Sequence, residues 1–158
     1  KMNKIILLDL NSTYAENAMQ VHIMRKGIYN VNSEFYRKWL TSLLRKYKVV
    51  MLTSRPEYYK TQTLRRIKDL EKWQPDNAYF NKWRLPAPTA KEKMLHDYVW
   101  PEYGYMEETE YIAIESNYKT QDMFRTHGIN AYTQQEIYKS PQLLDGGNAT
   151  GTNLELNL

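Results

Sequence analysis

Cysteine is absent from the 158-residue chain, which excludes disulfides, thiolate metal sites and a cysteine nucleophile. Long apolar runs are missing as well. The longest aliphatic run near the start, Ile5 to Leu8, is far short of the roughly 20 residues a membrane helix needs. No charged segment followed by a long apolar stretch opens the sequence, so a cytoplasmic location without membrane attachment is expected. Lys1, standing before Met2, is read as a cloning remnant. Charge of one sign is in small excess: 22 basic against 18 acidic residues gives a net +4. That balance is compatible with a polyanionic partner without requiring one, and the 14 Tyr and 4 Trp can serve equally as stacking surfaces or as core.

What is present alternates between strand and helix signals. Ile5 to Leu8 is a continuous apolar run ending at Asp9, the mark of a strand buried on both faces. Ser33 suits a helix N-cap, with Phe35, Trp39, Leu40, Leu43, Leu44 and Tyr47 as the apolar stripe. Lys48 to Leu52 is a second strand, and a helix starting at Pro56 runs through Leu64, Ile67, Leu70 and Trp73. A third, shorter strand is expected in "NAYFNKW". Thr89 and Glu92 have capping-box spacing, opening a helix that Pro101 should end. Glu110 to Ser116 is again a buried strand, Tyr118 to His127 a helix closed by Gly128, and "INAY" a last strand. Strands separated by single helices predict an α/β fold: a doubly wound parallel sheet with helices on both faces.

In such a sheet the functional residues lie at the carboxyl ends of the strands. Those ends carry Asp9, then Thr53, Ser54 and Arg55, then Glu115 and Ser116, with Lys91 in the first turn of its helix. A carboxylate nucleophile, groups to bind phosphate oxygens and a second acid to hold Mg²⁺ are the parts of a phosphoryl-transfer site.

From Lys4 to about Tyr132 the chain resembles the haloacid dehalogenase superfamily of phosphohydrolases. "LLDLNST" is similar to that family's D-x-D-x-T motif, with Asp9 as nucleophile, Thr13 matching and Asn11 in place of the second Asp. "VVMLTSRP" is similar to the second motif, with Thr53 on the transferred phosphoryl group. "PTAKEKML" resembles the lysine motif, with Lys91 the better match and Lys93 the reserve. "YIAIESNYKTQDMFRTHGINAY" resembles the fourth, where Glu115 and Ser116 replace an Asp pair that holds Mg²⁺. The resemblance implies a metal site of Asp9, Asn11 through its backbone carbonyl, Glu115 and Ser116. The stretch from "KEKMLHDYVWPEY" to "HGINAY" is most similar to the phosphatase domain of polynucleotide kinase/phosphatases, and no kinase P-loop accompanies it.

Asn11 cannot protonate a leaving group, a task that typically contributes about 10² to 10⁴ in rate. Three functions therefore compete. One is a Mg²⁺-dependent phosphohydrolase acting through an aspartyl-phosphate on a nucleotide or nucleic-acid end. The alternative is an impaired relative that binds phosphorylated ligands, nucleic acid or a protein without efficient turnover; transfer to an acceptor other than water is a third possibility. The intervals between motifs leave no room for a large cap. The segment Tyr14 to Asn32 is expected to form a flap with His22, Arg25 and Lys26 near substrate. Residues 2–140 make up the domain. Residues 141–158 are expected to be a tail, with Leu154, Leu156 and Leu158 at strand period for docking as an edge strand, on the same subunit or in a homo-oligomer. Its "NAT" sequon has no use in a cytoplasmic protein.

Overall fold

Ile5 and Leu7 bury on one side of the first strand, and Ile6 and Leu8 on the other, as a strand with two covered faces requires. This is the middle strand of a sheet in a computed structural model that describes residues 3–16, 22–23 and 28–148. The strands are β1 (Asn3–Leu8), β2 (His22–Ile23), β3 (Ile28–Tyr29), β4 (Lys48–Pro56), β5 (Asn77–Asn81), β6 (Thr109–Ile114) and β7 (Asn130–Tyr132). Five of them form one sheet in the order β5-β4-β1-β6-β7, and every pairing is parallel. β2 and β3 make a separate antiparallel pair within the expected flap.

Helices cover both faces. On one side α1 (Lys38–Leu44), α2 (Lys60–Glu71) and α6 (Gln134–Lys139) contribute Leu40, Leu44, Ile67 and Ile137 to the core. On the other, α3 (Ala87–Met94), the π turn Leu95–Val99, α4 (Trp100–Tyr103) and α5 (Tyr118–Thr126) contribute Ala90, Met94, Val99, Trp100 and Phe124. The chain is an α/β protein with a doubly wound parallel sheet. No helix of the described residues is long and apolar enough to cross a membrane.

Several element ends differ from the sequence reading, each for a local reason. Ser33 closes a 3₁₀ turn instead of capping a helix, and Phe35 is 51% exposed. Residues 34–37 stay extended because Glu34 turns inward to an arginine and Tyr36 bridges to Ala15. β4 runs on to Pro56, with its register broken between Leu52 and Pro56. There the Arg55 N–H bonds the Thr53 hydroxyl at 3.1 Å instead of following the ladder. Thr89 caps nothing: α3 starts two residues earlier, after Pro86. Pro101 does not stop its helix, because the widened π turn before it relieves the clash of a proline ring with the preceding turn. The helix ends at Gly104, whose φ of 112° only glycine adopts readily. A true capping box lies at Thr133 and Glu136, opening the unexpected α6. Gly128, at φ 81°, follows the α5 C-cap as expected.

Beyond residue 140, Pro141–Asp145 form a 3₁₀ turn with Leu144 buried. Asn148, the sequon residue, accepts a bond from the Tyr111 N–H at 2.8 Å and donates to the Thr109 and Met106 carbonyls. The proposed edge strand, residues 153–158, lies outside the described residues.

Candidate active site

The chain runs from β1 to β4 and β5 on one side, then crosses to β6 and β7 on the other. The switch falls between the carboxyl ends of β1 and β6, where ligand crevices of open parallel sheets form. Leu8 is opposite Ile114 in register, so Asp9 and Glu115 leave adjacent strands at the same level.

Lys91 reaches that point from α3, which packs on one face of the sheet. Its buried ammonium donates to Asp9 Oδ1 at 2.7 Å and to Glu115 Oε1 at 2.6 Å. The other Asp9 oxygen accepts from Thr13 Oγ1 at 2.6 Å and from Ser116 Oγ at 3.2 Å. Three side chains thus fix one carboxylate. The turn that makes this possible holds Ser12 at φ 62°, a left-handed conformation uncommon outside glycine and typical of functional loops. Lys93, the reserve, instead pairs with Asp97 one turn along its own exposed face.

Electrostatics within the triad are unequal. Burial pulls the Lys91 ammonium down, but Asp9 and Glu115 outweigh it and the group is held above its ordinary value. Burial first, and the Asp9 charge second, push the Glu115 carboxyl up to about 8. Glu115 is therefore the carboxyl that gives up its charge when the lysine cannot satisfy both. A raised folded-state value means that the folded protein holds this proton more tightly than the unfolded chain. The sign follows: Glu115 favours folding least once pH has risen through about 8, and its penalty grows from the unfolded carboxylate value upward. In metal-free buffer, Glu115→Gln is expected to flatten the loss of thermal stability between about pH 5 and pH 8. Melting curves of both proteins across that range test it, and parallel curves would remove Glu115 as the cause.

Asn11 is directed away from Asp9. Its Oδ1 accepts from the Arg55 guanidinium at 2.8 Å and its Nδ2 donates to the Tyr29 hydroxyl at 3.3 Å. Arg55 is itself 0% exposed, paired through both terminal nitrogens with the equally buried Glu34, and bonded to Thr63 at 3.0 Å. The Tyr29 ring lies 4.4 Å from the guanidinium carbon. Sequence reading put Arg55 beside Ser54 as a phosphate ligand; in the structure its terminal nitrogens face protein partners. Ser54 is half-buried on β4, and the buried Thr53 hydroxyl accepts the Arg55 N–H. His22 lies on β2, and Arg25 and Lys26 fall outside the described residues. Glu34 and Tyr29 carried no motif signal, because a buried ion-pair partner and a stacking ring are recognisable only once the fold brings them together.

Asp9 Oδ2, the Asn11 carbonyl oxygen and Ser116 Oγ gather on the open side, the serine oxygen 3.2 and 3.4 Å from the other two. One carboxylate with neutral oxygens suits Mg²⁺, which keeps several waters and shares its remaining positions with phosphate. Glu115 faces the other way, with Oε1 on Lys91 and Oε2 on the Asn117 N–H at 3.1 Å.

The fold and the switch-point carboxylate define a doubly wound α/β protein with a cluster of charged and polar side chains at its carboxyl edge. No family model matches the sequence, and no curated protein does. Among solved structures, the chain is similar to one from the Pnkp1/Rnl/Hen1 RNA repair complex, with TM-score 0.63 and 15% identity over 84% of this chain and 42% of that one. A second structure of the Pnkp1/Rnl/Hen1 complex gives TM-score 0.67 and 15% identity over 84% and 46%. The chain spans less than half the length of these neighbours, and the likeness is one of fold.

Proposed function

We propose that the chain is a phosphohydrolase of the haloacid dehalogenase type acting on a terminal phosphate of a nucleic acid or nucleotide. The observation carrying this is the Asp9 carboxylate, fixed at the sheet's switch point by Lys91, Thr13 and Ser116. Such fixing holds a nucleophile in attack geometry and places a cation beside the phosphoryl oxygens. An Asp9 oxygen attacks phosphorus, the phosphorus–oxygen bond to the substrate breaks, and the leaving oxygen takes a proton from solvent. Water then cleaves the acyl phosphate to release inorganic phosphate and restore Asp9. Mg²⁺, held by Asp9, the Asn11 carbonyl and Ser116, would neutralise charge on the phosphoryl oxygens.

A nucleic-acid substrate is favoured by the surface beyond β4. Tyr58 is 89% exposed there, beside a hollow of about 560 Å³ lined also by Asn32, Thr61, Gln62, Arg65, Arg66 and one acid, Asp69. An open aromatic ring next to arginines suits base stacking and backbone phosphates. RNA repair, the setting of the structural neighbours, is consistent with this substrate. The second reading, binding without efficient turnover, is favoured by Asn11, whose amide is clamped by Arg55 and Tyr29 and supplies no proton.

Turnover of a 3′-phosphorylated oligonucleotide with Mg²⁺ separates the readings. Asp9→Asn is expected to reduce release of phosphate to background. Asn11→Asp is expected to raise it by at least about tenfold, a threshold set beneath the roughly 10² to 10⁴ that a well-positioned acid or base contributes. Release that survives Asp9→Asn would refute the covalent route. Binding with no release from any of the three proteins would establish the second reading.

A further inference from the structure

Outside the crevice, on the far side of α3, two of the chain's three histidines meet a carboxylate. Glu92 and His96 are one turn apart, with His96 inside the π turn. His127 arrives from the C-cap of α5, just before Gly128. One ligand atom from each of the three lies within 4.8 Å of the others, and His127 Nε2 is 2.6 Å from Glu92 Oε2.

Their surroundings form a built corner rather than a loose surface cluster. Both imidazoles pack edge-on against the buried Trp100 ring, at 4.6 and 5.2 Å, and lie 5.5 Å from each other. The indole nitrogen of Trp100 is one of two buried side-chain nitrogens without a hydrogen-bond partner among the described residues. π turns in helices often occur at functional sites.

We propose that Glu92, His96 and His127 bind a divalent transition-metal ion, with Zn²⁺ as the best fit. Two imidazoles and one carboxylate with a fourth position open to water match zinc chemistry. Nitrogen donors disfavour Mg²⁺, so this site and the Asp9 crevice sort the two metals by ligand type. Tetrahedral zinc places its ligand atoms roughly 3.3 Å apart, given bonds of about 2.0 Å. From separations of up to 4.8 Å, reaching that spacing requires the exposed His96 ring to turn inward by up to about 1.5 Å, and the 2.6 Å contact of His127 with Glu92 to open by about 0.7 Å as the metal replaces the proton between them. Glu92 is the immediate neighbour of Lys91, so the ion would tie the helix that delivers Lys91 to the corner between α5 and β7. This is a structural clamp, and it does not depend on the function of the crevice.

The test uses the full chain without a polyhistidine tag, stripped with chelator and titrated with Co²⁺ as a spectroscopic probe. One equivalent is expected to give visible absorption bands that Zn²⁺ abolishes. His96→Gln, His127→Gln and Glu92→Gln should each weaken binding at least tenfold, while His22→Gln and Asp9→Asn leave it intact. Zn²⁺ should also raise the melting temperature of the parent and not that of His96→Gln, a substitution at an exposed position that the fold tolerates. Absence of cobalt bands in the parent, bands that persist in His96→Gln and His127→Gln, or loss of bands in Asp9→Asn would each overturn the assignment.

Discussion

Glu34→Ala is expected to lower the free energy of unfolding by roughly 3–5 kcal/mol, the usual cost of leaving one member of a buried ion pair without its partner. Arg55 and Glu34 are both wholly buried, so no solvent replaces the lost carboxylate. The remaining bonds to Asn11 and Thr63 and the Tyr29 ring bring neutral dipoles, not a countercharge. Tyr36 also loses the acceptor for its hydroxyl. Replacing both partners, as in Glu34→Leu with Arg55→Met, should recover most of the loss, because an apolar pair of similar volume removes the stranded charge. Urea denaturation of the single and double variants decides it. A single variant within about 1 kcal/mol of the parent would show that the guanidinium finds water or another anion.

Lys91→Met is expected to reduce phosphate release by at least about 100-fold, the low end for removing one charge-stabilising donor from a reacting centre. Its effect on stability should depend on pH. Without the ammonium, Asp9 and Glu115 face each other at the same level of adjacent strands, and Glu115 already holds its proton to about pH 8. One carboxyl stays protonated when pH is low, so the variant loses little there and progressively more as pH rises. Adding Glu115→Gln should restore stability above pH 8 without restoring activity. If the double variant regains activity, Lys91 acts only by neutralising Glu115 and has no role at the phosphate.

The parallel sheet was readable because its signals are short-range: apolar runs bounded by polar residues, with single helical stripes between them. Asp9, Lys91 and Glu115 could be picked out for the same reason, since the carboxyl end of a strand is a position in sequence as well as in space. The extended stretch 34–37 could not. Its residues fit a helical stripe, and what overrides that preference is Arg55, 21 positions away. Thr89 and Glu92 show the opposite error: spacing that suits a capping box, used by the fold for another purpose, while the box at Thr133 and Glu136 went unread. The Glu92, His96 and His127 cluster carried no such signal, because His127 joins the other two only through the packing of α5 on α3.

The switch in strand order also governs when the crevice can come into being. Asp9 is bonded to residues 82 and 107 positions further along, and one edge of β1 remains bare until β6 has been synthesised. A growing chain therefore carries an apolar strand with unpaired backbone groups while about a hundred residues are added. Pairings so distant in sequence fold slowly, because the entropy of closing a long loop is lost before the contact is gained. The crevice then appears in a single late event rather than by stages, and a nascent chain stalled before β6 exposes an edge on which other chains can assemble.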